Sequence, residues 1–163
     1  MIARGIGDST RLGIMGMGFD AYRALYALTL TDRFKAASVD VPLYDLVALY
    51  DGAGAGAHVF DDLIGGSPTE KPDEYARISP ANHADRLRTP TLVAYPPDTP
   101  GTPTASQGRA LARALRKNGT PVEVIAYTPS PASDPWGART LDTLVRRNLE
   151  WFRRWIPTRP PDP

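Results

Sequence analysis

The chain alternates short apolar runs with segments whose apolar residues recur every three or four positions, which predicts strands alternating with helices. Arg11 to Met15 (RLGIM) reads as a strand and Gly16 to Gly18 as a tight turn. Phe19 to Thr31, with Tyr22, Leu25, Tyr26 and Leu28 on one side, reads as a helix. Lys35 to Val41 predicts a second strand and Tyr44 to Tyr50 a short helix, after which the tract from Gly52 to Ala57 (GAGAGA) reads as a flexible loop. Thr91 to Tyr95 predicts the third strand, followed by a proline-rich turn. Thr104 and Gln107 form the pattern of a capping box for a helix from Ala105 to Asn118 closed by Gly119, with Leu111 and Leu115 on its inner side. The fourth strand is Val122 to Tyr127. Asp134-Pro135 reads as the start of a last helix, in which Leu141, Leu144, Val145, Leu149, Phe152 and Trp155 recur at helical spacing. Trp155 is expected in the core, with Trp136 and Trp151 at an interface. This order predicts an α/β fold of about four parallel strands with helices on both faces, in a single domain over 1–156, with the proline-rich tail 157–163 disordered.

Composition narrows the function more than the fold. Of 163 residues 42% are hydrophobic, enough for one core. The 19 basic residues against 18 acidic leave no one-signed stretch, which speaks against nucleic-acid and membrane-surface binding. Without cysteine there is no disulfide or thiolate metal site, and two separated histidines, His58 and His83, do not make a specific transition-metal site, so no metal or cofactor is expected. The opening residues lack the apolar run of a signal peptide, and a cytoplasmic location is the expectation. The excess of arginine over lysine, of which only Lys35, Lys71 and Lys117 occur, fits a GC-rich bacterial source.

Four segments in order carry a family resemblance: RLGIMGMGFDAYRALYALTLTDRFKAA, FDDLIGGSPTEKPDEYARISPANHADRLRTPTLVAY, TPTASQGRALARALRKNGTPVEVIAY and LDTLVRRNLEWFRRW. From about Gly5 to Trp155 they resemble the C-terminal part of the catalytic domain of the prolyl oligopeptidase family, an α/β-hydrolase with a Ser-Asp-His triad. The resemblance implies a nucleophile elbow, G-x-S-x-G, at the turn after the first strand. Here that turn reads Gly16-Met17-Gly18-Phe19-Asp20, with glycine at the nucleophile position. The acid position falls on Thr99, with Asp98 beside it, and the base position on Ala132; no histidine follows His83. A serine hydrolase is therefore not expected.

The resemblance also implies that the family's earlier strands, and half of its oxyanion hole, lie outside this chain. The first strand should then expose an unpaired edge, and one sheet face should be covered mainly by the last helix. The expected partner is a second copy, forming a homodimer, or a heteromeric chain that supplies the missing half-sheet.

Three functions remain open. The first is a catalytically inactive hydrolase-like protein that binds a partner or small molecule around Gly18, Phe19, Asp20, Tyr95, Asp98 and Trp136, at the C-terminal ends of the strands. The second is a repurposed enzyme of cyclase, isomerase or dehydratase type in which Asp20 or His58 moves a proton. The third is a dinucleotide-binding module, because Gly16-Met17-Gly18-Phe19-Asp20-Ala21 fits G-x-G-x-x-A with Asp40 as the ribose acid. His83 reads as a packing or capping residue, and the adjacent Asp61 and Asp62 make a poor carboxylate dyad.

Overall fold

A computed structural model describes residues 7–99, 103–128 and 137–156. Its four strands, β1 (Leu12–Met17), β2 (Phe34–Asp40), β3 (Thr91–Tyr95) and β4 (Val122–Ala126), form one sheet in sequence order, each parallel to the next. The helices are α1 (Phe19–Leu30), α2 (Leu46–Ala53), α3 (His58–Ile64), α4 (Pro72–Ile78), α5 (Thr104–Lys117) and α6 (Ala138–Trp155). Parallel neighbours need crossover connections, and α1 and α5 supply two of them on a common face. There Ala37, Val39, Val93 and Tyr95 of the sheet meet Ala21, Leu25, Leu111 and Leu115. The opposite face is covered by α6, whose Trp151 is buried against Ala36 and Leu92. All five residues of β3 are buried, as expected of an inner strand between two layers.

Helix α6 crosses its face diagonally. Its first turns flank Tyr127 past the end of β4, while Phe152 and Ile156 lie over Gly13 in β1. A Cβ on Gly13 would come within 2.8 Å of the Phe152 ring, so glycine there is what lets the helix sit on the sheet. The diagonal leaves the C-terminal half of β1 bare: Met15 is 63% and Met17 66% exposed.

Several expectations are corrected by packing. The first strand runs on to Met17, because Gly16 and Met17 pair with Val39 and Asp40, so the turn is at Gly18 rather than Gly16. The tract Gly52 to Ala57 is not a loop. Helix α2, capped by the Asp45 carboxylate on the Val47 and Ala48 N–H groups, continues through Ala53 into a 3-10 helix over Gly54–Ala57. Its Gly52 lies close against Pro103, a contact invisible in the local pattern. The capping box is absent as well: Thr104 is already helical and donates its hydroxyl to Pro96 and Pro97 O, while Gln107 reaches Tyr44 and Asp45. In α6 the expected inner stripe is rotated. Leu141, Val145 and Leu149 are exposed, and Trp151, expected at an interface, is core. The helix start expected at Asp134-Pro135, Trp136 and the tail 157–163 lie outside the described residues; α6 is described from Ala138, preceded by Gly137 in a left-handed conformation. Among the described residues no helix is long and apolar enough to cross a membrane.

Candidate functional site

The site is organised by the turn between β1 and α1. Gly18 has φ 59 and ψ −119, in the positive-φ range that glycine adopts without penalty and a serine would occupy under strain. Its N–H donates to Asp40 O at the end of β2 (2.9 Å) and its carbonyl accepts from Tyr22 N (3.1 Å), locking the turn to the sheet and to α1. The turn is also tight. A Cβ on Gly16 would lie 2.4 Å from the carbonyl carbon and oxygen of Asp20, whereas a Cβ on Gly18 would meet nothing within 4 Å. The chain thus builds a sharp strand-to-helix elbow whose apex faces open space and carries no nucleophile.

The flanking candidates are engaged locally. Phe19 is half-exposed, stacks on Tyr22 with ring centroids 5.3 Å apart, and lies under the Arg23 guanidinium at 4.8 Å. Asp20 is exposed and pairs with Arg23 at 3.0 Å. Gly18, Phe19 and Asp20 therefore stand together at one end of α1.

The remaining candidates are placed otherwise than expected. Tyr95 points into the core, its ring flat on Gly108 so that a Cβ there would be 2.0 Å from Tyr95 Cδ1. It is unavailable to a ligand. Asp98 anchors the start of α5: its carboxylate accepts from Ser106 N (2.9 Å), Ser106 Oγ (2.7 Å) and Arg109 (3.0 Å). Burial opposes its charge, but these three donors outweigh that and hold its pKa below the ordinary value. Thr99, at the position expected for the acid, is exposed, and Ala132, at the position expected for the base, lies outside the described residues, as does Trp136. His58 is exposed on the first turn of α3 and its Nδ1–H donates to Ala55 O (2.7 Å); His83 Nε2 donates to Arg77 O (2.9 Å). Each imidazole is spent on a nearby carbonyl. Among the described residues no group of three His, Cys, Asp or Glu side chains is placed to hold a metal ion.

One pair was missed from sequence. The Tyr127 hydroxyl, just past β4, donates to both carboxylate oxygens of Asp40 at 2.9 and 3.2 Å, bridging the strand ends on the α6 face beside the Gly18 turn. Nothing in the spacing of residues 40 and 127 signals this; the two-strand separation across β3 creates it. The next residue, Val41, has φ 50, a strained value for a β-branched side chain that the surrounding structure enforces. Burial pushes the Asp40 carboxyl above its ordinary pKa, partly offset by the Tyr127 O–H and the Val41 N–H, and burial likewise raises Tyr127. A folded-state carboxyl pKa above the unfolded one means the native state binds the proton more tightly. The Asp40 contribution therefore falls as pH rises from the ordinary carboxylate value through the raised one, then stays level. Asp40→Asn is expected to abolish that segment of the pH–stability curve, measured by urea denaturation at a series of pH values; an unchanged curve would refute the burial assignment.

The same geometry weakens the dinucleotide reading. A phosphate-binding fingerprint needs its glycines in the turn, but Gly16 and Met17 are inside β1, and the Asp40 carboxylate faces Tyr127.

The described fold has close counterparts among solved structures. A puromycin-hydrolysing peptidase of Mycobacterium tuberculosis superposes with a TM-score of 0.84 at 26% identity, covering 99% of this chain and 24% of that one. The uncomplexed acylaminoacyl peptidase of Pyrococcus horikoshii gives 0.79 at 22% identity, over 96% of this chain and 26% of that one. Dipeptidyl peptidase 4 of Porphyromonas gingivalis gives 0.71 at 21% identity, over 89% and 20%. The chain spans about a quarter of the length of the first two of these structures. The sequence model of the prolyl oligopeptidase family matches residues 1–158, in line with the elbow and the parallel sheet, and the chain belongs to that family.

Proposed function

We propose that this protein is a non-catalytic member of its family that acts by binding, with a second copy docked on the edge of β1 that no strand among the described residues pairs. The observation that carries the first half is the elbow itself: its backbone geometry is kept while Gly18 offers no nucleophile, and both histidines hydrogen-bond to carbonyls within their own segments. The second half is supported by β1. Edge strands are ordinarily protected by charge or proline, yet Leu12–Met17 has neither and shows Met15 and Met17 to solvent. An antiparallel second copy would pair the two strand edges and cover both methionines.

Light scattering at micromolar concentration is expected to give a dimer. Met15→Lys with Met17→Lys is expected to weaken it about tenfold or more, the effect of little over 1.4 kcal/mol from like charges brought together. A monodisperse wild-type monomer overturns the second copy as occupant, and a defined complex with a different co-purifying chain replaces it by a heteromeric partner. In an ester or peptide hydrolysis assay neither the wild type nor Gly18→Ser is expected to show saturable turnover, since a hydroxyl at the apex still lacks a base. Turnover by the wild type would sink the non-catalytic reading.

The Asp40–Tyr127 pair favours the repurposed enzyme as the second reading. It is better placed to move a proton at the strand ends than Asp20 or His58, which are exposed and bound to neighbours. A small molecule retained in native mass spectrometry, with turnover lost in Asp40→Asn, would select it.

A further inference from the structure

One hydrogen bond tells which backbone groups of β1 face its outer edge. Gly18 N–H donates to Asp40 O and so points towards β2. Successive residues of a strand alternate in direction, so Gly16 and Ile14 also turn their N–H and C=O groups to β2, while those of Gly13, Met15 and Met17 point outward. The same three residues share a sheet face. A Cβ on Gly13 would meet Phe152 of α6, which places Met15 and Met17 on the α6 face as well, whereas Ile14 packs against the core beneath α1.

We infer that β1 pairs antiparallel with the partner's β1 about a two-fold axis through Met15, so that Gly13 faces the partner's Met17, Met15 faces the partner's Met15 and Met17 faces the partner's Gly13. This rests on the second-copy reading above and gives it a register. Directly opposed residues of an antiparallel pair share a face, and those with outward groups exchange two hydrogen bonds. An axis between two residues would set opposite faces side by side. Centred on Met15, the strand Leu12–Met17 forms all three outward pairs just named, whereas an axis at Ile14 or Gly16 forms only two. Side-chain size favours the same register. Met17, 66% exposed, comes opposite a glycine and beside Phe152 and Ile156, which overlie that glycine and are only partly buried. Each α6 thereby covers the methionine that the partner's α6 leaves bare, with a thioether set against an aromatic ring. On the other face Ile14 comes opposite the partner's Gly16, so the only two large side chains directly opposed are the flexible Met15 pair on the axis.

The chain has no cysteine, so single cysteine variants report on one position each. Under mild oxidation Met15→Cys is expected to give a disulfide-linked dimer, because the Cα atoms of a hydrogen-bonded antiparallel pair lie about 5.5 Å apart, within disulfide range. Met17→Cys is expected to stay unlinked, since its counterpart lies four residues further along the strand, about 13 Å away. In the wild type, amide exchange at Gly13, Met15 and Met17 is expected to slow about tenfold or more when the protein is concentrated, while Ile14 and Gly16 are protected at every concentration. Cross-linking of both variants, of neither, or of Met17→Cys alone, in protein that light scattering shows to be dimeric, overturns the register and leaves the second copy docked in another way. So does a wild-type dimer in which those three amides exchange as fast as in dilute protein. A monomer in light scattering removes the second copy itself.

Discussion

Replacing Gly16 by alanine is expected to lower the unfolding free energy by about 3 kcal/mol, the upper end of the usual range for forcing an extra carbon into packed structure. The added Cβ would sit 2.4 Å from Asp20 C and O and 2.7 Å from Ala21 N, all backbone atoms of the first turn of α1. A side chain could rotate away; these atoms cannot, so either α1 moves off the sheet or β1 loses its pairing with Val39. Gly18→Ala is the informative comparison, because it meets no atom and bears only the strain of its positive φ, roughly 1–3 kcal/mol. Urea denaturation of both variants separates the two causes. A Gly16→Ala protein as stable as the wild type would mean that the elbow is not held as closely as described.

The largest loss is expected from Trp151→Ala, about 3–5 kcal/mol, the range for truncating a buried aromatic side chain. Trp151 is 4% exposed and packs on Ala36 and Leu92, and it is the principal buried anchor of α6. The ion pair between Arg147 and Glu123 at the start of β4 lies near the surface and cannot replace it. The variant should unfold at markedly lower urea concentration, with α6 released from the sheet. A change below about 1 kcal/mol would show that the helix is held elsewhere.

These two residues also show why the sequence was only partly legible. β3 and β4 could be read directly, because a run such as TLVAY is apolar on both faces and is bounded by prolines, which leaves strand as its simplest state. The helix α5 was equally plain from its period. The end of β1 was not, since a glycine after an apolar run signals a turn locally, and only pairing with Val39 and Asp40 keeps Gly16 and Met17 extended. The Gly-Ala tract suffered from the same ambiguity: its composition suggests a loop, while buried Leu46 and Leu49 and the close approach of Gly52 to Pro103 hold it helical. Helices α3 and α4, of 7 residues each, are too short for a helical period to show in the sequence.

Among site residues the same division holds. The order of segments and the unusual turn at Gly18 pointed to the elbow without any coordinates. Residue type alone suggested ligand roles for Tyr95 and Asp98, but one ring is pressed on Gly108 and one carboxylate is occupied by Ser106 and Arg109. Conversely, the spacing of Thr104 and Gln107 suggests a capping box that does not form, and Asp40 and Tyr127 are 87 positions apart.

The sequence by itself determined the family, the alternation of strands and helices, and the presence of glycine, which has no side chain, at position 18, because these depend on local order and on which side chain is present. Only the tertiary structure decided that Asp40 meets Tyr127, that Gln107 holds the Tyr44 and Asp45 N–H groups, and that α6 leaves Met15 and Met17 bare. Those facts arise from the lateral order of the strands and the diagonal course of one helix, and neither has a signature within any short window of the chain.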